Sequence, residues 1–111
     1  MGLGKTVQIC SYLKGLLDSK MIKKVLIIVP ATMKMYWKEQ LSMWLDDDTI
    51  VTQLDDKKKS ERYEEIRQVR KRGGILITSY GMVSTERLNL GEVRYDVVVI
   101  DEGHKAKNKN T

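Results

Sequence analysis

Apolar residues along this chain fall into stripes and runs of two different periods. Ile9, Leu13, Leu16 and Leu17 recur at helical spacing with Cys10 beside them, while Gln8, Lys14 and Asp18 fall largely elsewhere on the wheel. That spacing predicts an amphipathic helix. Residues 25–29 form a continuous aliphatic run closed by Pro30, the pattern of a strand buried on both faces of a parallel sheet. Thr32 stands where it can cap a helix whose apolar stripe is Met33, Trp37, Leu41, Trp44 and Leu45, and the acidic residues Asp46, Asp47 and Asp48 end it. Residues 49–54 predict a shorter strand. Residues 57–72 are very polar, with Tyr63, Ile66 and Val69 as a narrow apolar line, and predict a surface helix ended by Gly73 and Gly74. Residues 75–79 resume as a buried strand, Gly81 breaks the run, and residues 82–92 predict a short helix or a loop. Residues 97–100 are the most hydrophobic strand and read as buried.

Strands alternating with helical segments predict an α/β domain with a mainly parallel sheet flanked by helices. In such sheets ligands gather at the carboxyl ends of the strands. Here those ends are Pro30-Ala31-Thr32, Thr78-Ser79-Tyr80 and Asp101-Glu102-Gly103-His104, where the polar residues cluster.

Composition narrows the picture modestly. The 111 residues suit one domain, and 41% hydrophobic with 32% charged residues argues against disorder. Twenty Lys and Arg against fifteen Asp and Glu give +5, compatible with an anionic partner, although the two signs are interspersed. Cys10 is the single cysteine, so no internal disulfide forms, and it reads as a small core residue in a reducing compartment. No run approaches the roughly 20 apolar residues of a membrane span, and the N-terminus lacks a signal-peptide pattern, so a soluble intracellular protein is expected. Lys57, Lys58 and Lys59 lie beside Asp55 and Asp56 and read as a solvated turn.

Two short segments carry chemistry. Gly2-Leu3-Gly4-Lys5-Thr6 runs directly into the first helix. Glycines let backbone N–H groups wrap a phosphate, a helix N-terminus adds its positive dipole end, the lysine reaches the β- and γ-phosphates, and the following hydroxyl holds Mg²⁺. The full phosphate-loop pattern requires a further glycine-type position upstream of residue 1, so the motif is partial, and a flexible glycine-rich N-terminus is the bland alternative. The second segment, Val97-Val98-Val99-Ile100-Asp101-Glu102, has the form of a Walker B strand: one carboxylate for the Mg²⁺ shell and one to orient and deprotonate the attacking water. Alone, Asp-Glu after a strand is an ordinary polar stop. Together the two segments favour a site for a nucleoside triphosphate with Mg²⁺.

His104 completes an Asp-Glu-x-His box, and here the chain resembles superfamily-two helicases, in which such a histidine couples the nucleotide site to the motor. MGLGKTVQ at 1–8, VLIIVPATMKMYWKEQ at 25–40, ILITSYGMV at 75–83 and DEGHKAKN at 101–108 closely resemble four motifs, in order, of the sucrose-non-fermenting family of chromatin remodellers and DNA translocases. The nearest branch is similar to the Cockayne-syndrome-group-B and excision-repair-like translocases. Gly103 replaces a frequent alanine and Ala106 a larger aliphatic, changes that touch packing of the box and not its chemistry.

The resemblance implies that residues 1–111 are part of a RecA-like P-loop first motor lobe, truncated inside the phosphate loop and lacking a preceding strand that would lie centrally in the sheet. It implies a catalytic set of Glu102, Asp101 and His104, a nucleotide cradle of Gly2, Leu3, Gly4, Lys5 and Thr6, and Mg²⁺ held with ATP by Thr6 and Asp101. It assigns Ala31, Thr32, Thr78, Ser79 and Tyr80 to the backbone of double-stranded or nucleosomal DNA, because small hydroxyls and amides position a strand without reading bases. A second motor lobe as partner, a nuclear location, and inactivity of these residues alone are also implied. Trp37, within the apolar stripe, reads as core, and Lys105, Lys107 and Lys109 as a solvated run.

Two other readings compete. A small-molecule kinase or GTPase would need a substrate lid or a guanine-reading Asn-Lys-x-Asp segment, and Lys107-Asn108-Lys109-Asn110 lacks the aspartate. A scaffold or interaction module without turnover is the other, opposed by intact Lys5, Thr6, Asp101 and Glu102.

Overall fold

The structure, a computed structural model, describes residues 2–55 and 58–101. Four strands, β1 (Lys24–Val29), β2 (Val51–Gln53), β3 (Gly74–Ser79) and β4 (Val97–Ile100), form one sheet in the order β2-β3-β1-β4, and every pair is parallel. Between them run the helices α1 (Gly2–Asp18), α2 (Lys34–Trp44), α3 (Lys59–Arg72), α4 (Tyr80–Thr85) and α5 (Arg87–Gly91). This is the α/β architecture that the alternation predicts, with helices on both faces.

Strand alternation divides the core in two. Val25, Ile27, Val29, Ile75 and Ile77 pack on one face against Cys10 and Leu13 of α1 and Trp37 and Leu41 of α2. Leu26 and Leu76 face the other way, onto Ile66 and Val69 of α3, Met82 of α4 and Leu90 of α5. Fully burying a side chain such as Leu41 contributes roughly 1.5–3 kcal/mol, and these two layers explain why β1 and β3 are apolar at nearly every position.

Gly73 and Gly74 do more than end α3. Their φ angles are 88° and 119°, where L side chains are strained. A Cβ on Gly73 would sit 2.9 Å from the Lys23 carbonyl oxygen, and one on Gly74 2.8 Å from that of Ile50. The Gly74 N–H donates to Lys23 O at 2.7 Å and the Ile75 N–H to Ile50 O at 2.8 Å. The pair thus carries the chain from helix into strand without a loop, wedged between the entries of β1 and β2.

Several local expectations change. Residues Ala31–Met33 form a 3₁₀ turn, α2 begins at Lys34, and Met33 is its cap position with no side-chain hydrogen bond, so Thr32 caps nothing. The segment after Gly81 is two short helices, with Ser79 capping α4 by accepting the Met82 N–H at 3.3 Å. The buried line of α3 includes Arg62 with Ile66 and Val69, while Tyr63 is exposed. β4 is an edge strand, not a fully buried one: Val98 is 48% and Ile100 53% exposed, because β4 pairs only with β1 among the described residues and its even-numbered face is uncovered. Among the described residues no helix is long and apolar enough to cross a membrane.

Candidate active site

β3, β1 and β4 are neighbours and run the same way, so their carboxyl ends emerge together. The register sets Thr78 and Ile100 beside Ile28, and Ser79 beside Val29. The strand ends Val29, Ser79 and Ile100 therefore lie side by side at one end of the sheet, as parallel topology requires.

Asp101 is the first residue past β4 and its polar groups are held from three directions. Its N–H donates to the Ile28 carbonyl at 2.8 Å, extending the β1–β4 ladder by one step. Its own carbonyl accepts the Tyr80 hydroxyl at 2.6 Å, and its carboxylate Oδ2 accepts the Trp37 indole N–H at 3.3 Å. β1, α4 and α2 thus converge on one carboxylate residue. Trp37 belongs to the core, as its stripe predicts, and also has this polar contact, which the stripe does not reveal. A buried indole N–H needs an acceptor, and that requirement was the available signal.

The glycine-rich segment lies at the start of α1, which is helical from Gly2 onward, so Gly2, Leu3 and Gly4 are in its first turn. The first four N–H groups of a helix have no intrahelical acceptor and carry the positive end of its dipole. Lys5 is exposed, whereas Thr6 is buried at 3% exposure. α1 packs by Cys10 and Leu13 into the core layer against which Val97 and Val99 of β4 also pack. Among the described residues no cluster of three or more His, Cys, Asp or Glu is assembled. Mg²⁺ in nucleotide sites is typically held by one or two protein oxygens together with phosphates and water, and the donor set of Thr6 hydroxyl and Asp101 carboxylate fits that chemistry.

Of the residues assigned to a polynucleotide, Ala31 and Thr32 are exposed on the 3₁₀ turn, Tyr80 is exposed at 38%, and Ser79 is half-buried. Thr78 differs. Its side chain is fully buried and its Oγ1 has no hydrogen-bond partner, because strand alternation turns it into the layer beneath α4. Its hydroxyl is not presented to a ligand in this arrangement. Glu102, Gly103, His104, Lys105, Lys107 and Lys109 lie outside the described residues.

Away from this end of the sheet, polar contacts join residues distant in sequence. Arg62 of α3 and Glu86, between α4 and α5, form an ion pair at 2.6 Å, with side chains 11% and 2% exposed. Burial alone would raise the Glu86 carboxyl, but hydrogen bonds from Asn89 and Arg62 and the charge of Arg62 outweigh it and hold the pKa below the ordinary value. Asp96 accepts the N–H groups of Lys23 at 2.7 Å and Lys24 at 2.9 Å, and those bonds lower its pKa. It thereby ties the entry of β4 to that of β1. A cleft of about 740 Å³ lies elsewhere, bordered by Lys59, Tyr63, Arg87 and Leu88.

The SNF2-related domain family matches residues 1–111, the full chain. The chain belongs to that family. As an SNF2-related domain it is 31% identical over 116 residues to the DNA excision repair protein ERCC-6-like of Danio rerio, and 33% identical over 116 residues to the Homo sapiens protein of the same name. It is 35% identical over 114 residues to the ISWI chromatin-remodeling complex ATPase ISW2 of Saccharomyces cerevisiae. Each alignment takes in 100% of this SNF2-related domain but only 8%, 9% and 10% of the respective relatives, so the chain spans about a tenth of the proteins it matches. The resemblance read from four motifs is thereby met at the level of family: helicase-like, chromatin-remodelling ATPases, with excision-repair-like proteins among the relatives.

Proposed function

We propose that this chain is the nucleotide-binding part of the first motor lobe of a DNA-stimulated, ATP-hydrolysing translocase acting on duplex or nucleosomal DNA in the nucleus. The observation that carries the reading is the convergence of three strand ends on Asp101, in a chain whose N-terminal Gly2-Leu3-Gly4-Lys5-Thr6 stands at a helix start. In this reading the first-turn N–H groups and Lys5 hold the triphosphate, Thr6 and Asp101 hold Mg²⁺, Glu102 orients and deprotonates the attacking water, and His104 links the site to the motor. Bound Mg²⁺ supplies charge neutralisation of the phosphates. Ala31, Thr32, Ser79 and the main chain at Tyr80 meet the DNA backbone, with the Tyr80 hydroxyl turned to Asp101, and Thr78 supports them from beneath.

Arginines from a second lobe complete the site, and such an arginine is worth about 10³ to 10⁵ in rate in P-loop enzymes. The 111 residues alone are therefore expected to be inactive. The test uses the full-length parent, with phosphate release measured with and without duplex DNA. Lys5→Ala is expected to weaken ATP binding and abolish turnover. Glu102→Gln is expected to bind ATP and DNA but hydrolyse slowly, because the hydrogen-bonding shape remains while the base is lost. Unchanged binding and rate in Lys5→Ala, or single-turnover hydrolysis at the unmutated rate in Glu102→Gln, overturns the assignment.

A further inference from the structure

Asp101 and the two aromatic donors that hold it suggest more than a stable strand end. Trp37 is 1% exposed, its ring set among Val25, Ile27, Val29, Ile75 and Ile77, so its position is fixed by the core. From that fixed point its N–H reaches a carboxylate 64 residues away at 3.3 Å. A carboxylate is planar, so holding Oδ2 also narrows the directions open to the other oxygen. Tyr80 approaches from the opposite element. It follows Ser79 directly, heads α4, and its hydroxyl donates at 2.6 Å to the carbonyl of Asp101. That carbonyl belongs to the peptide that joins Asp101 to Glu102. A displacement of the β3–α4 junction is thus delivered to the Asp101 main chain through one hydrogen bond.

We propose that Trp37 and Tyr80 are positioning residues for Asp101: Trp37 orients the Asp101 side chain toward its cation, and Tyr80 transmits the state of the β3–α4 junction to the Asp101 main chain. The inference rests on the proposed nucleotide site and adds to it a physical route by which a polynucleotide on one strand end alters chemistry at the next. Each residue acts through Asp101 and touches no reacting atom.

Two measurements on the full-length parent test it. In the first, Mn²⁺ binding to the protein with ADP is followed by electron paramagnetic resonance, which reads free Mn²⁺ without turnover. Trp37→Phe, and separately the benzothienyl isostere of Trp37, which keeps the ring shape and replaces N–H by sulfur, are compared with the unmodified protein. Outer-shell partners of metal ligands are typically worth about 10- to 100-fold in affinity or activity. The 3.3 Å contact argues for the low end, about tenfold weaker Mn²⁺ binding in both variants, with the melting temperature of the isostere unchanged. A purely structural Trp37 would leave Mn²⁺ affinity of the isostere at the unmodified value, and that result overturns its role.

In the second, Tyr80→Phe keeps the ring and removes the donor. A hydrogen bond of this kind is worth about a factor of ten, so the DNA-stimulated kcat is expected to fall about tenfold. The DNA concentration for half-maximal stimulation should shift less than about threefold. Equal losses in both quantities would mean that the hydroxyl touches DNA itself, and no loss in either would mean that the bond transmits nothing; both outcomes overturn the role of Tyr80. If the unmodified parent shows no DNA stimulation, the proposed function fails and the Tyr80 half fails with it. The Mn²⁺ arm still decides the Trp37 half.

Discussion

Replacing Glu86 by glutamine should expose how much of this fold rests on one buried ion pair. Glu86 Oε2 accepts from Arg62 Nε at 2.6 Å, and Oε1 accepts from Asn89 Nδ2 at 2.8 Å. The pair joins α3 to the α4–α5 corner, with side chains only 11% and 2% exposed. Removing one partner of such a pair costs about 3–5 kcal/mol, chiefly because the other charge stays desolvated. Glutamine keeps the shape and one acceptor, so the low end, about 3 kcal/mol, is expected. At a urea m-value of about 1.5 kcal/mol per molar, the unfolding midpoint falls by about 2 M. A second variant tests the cause. Arg62→Met with Glu86→Leu removes both charges, and replacing a buried pair by apolar groups is often neutral or stabilising, so most of the loss should be recovered.

Acid gives the same interaction a separate readout. The Glu86 carboxyl is held below its ordinary 4.5, so its contribution is fully present above that value and disappears as pH falls through the lowered one. Between pH 5 and pH 3 the unmodified chain should lose stability more steeply than Glu86→Gln, which keeps only the share due to other depressed carboxyls such as Asp96. Urea midpoints by circular dichroism across that range provide the measurement. A midpoint shift below about 0.3 M at pH 7, or parallel acid profiles in the two proteins, would refute the reasoning.

Gly74→Ala should destabilise by about 2–3 kcal/mol, since φ is 119° and the new Cβ meets Ile50 O at 2.8 Å; a thermal melt unchanged within error would count against the wedge. Thr78→Val should be neutral or stabilising by about 1 kcal/mol, because the buried Oγ1 has no partner to lose, and DNA affinity of the parent should stay the same; a drop in affinity would return Thr78 to the DNA contact set. Cys10 is buried with its thiol pushed up to about 11 by desolvation, so a thiol reagent at pH 8 should modify it only on unfolding, and fast labelling of the native chain would contradict its place in the core.

Periodicity in the sequence determined the strand-helix alternation, the parallel sheet and the edge where chemistry-bearing loops gather. Side-chain alternation and helical repeat act over a few residues, so VLIIV in β1, the stripe through Trp37 and Leu41, and the Gly73-Gly74 stop are all written locally. The glycine-rich and Asp-Glu segments were likewise legible, because phosphate binding and metal binding demand particular residue types at short spacing. Tertiary structure alone decided which distant groups meet. Trp37 and Asp101 are 64 residues apart, Tyr80 and Asp101 21 apart, and Arg62 and Glu86 24 apart, and nothing in local pattern selects those partners. Thr78 shows the same division from the other side: its residue type and position suggested a phosphate contact, but α4 packs over the face of β3 to which alternation turns it, and its hydroxyl is buried. β4 reads from its residues as the most buried strand, yet burial depends on neighbours, and among the described residues Val98 and Ile100 have a paired strand on one side only. Hydrophobicity is a property of a residue, whereas burial and hydrogen-bond partnership are properties of the packing around it.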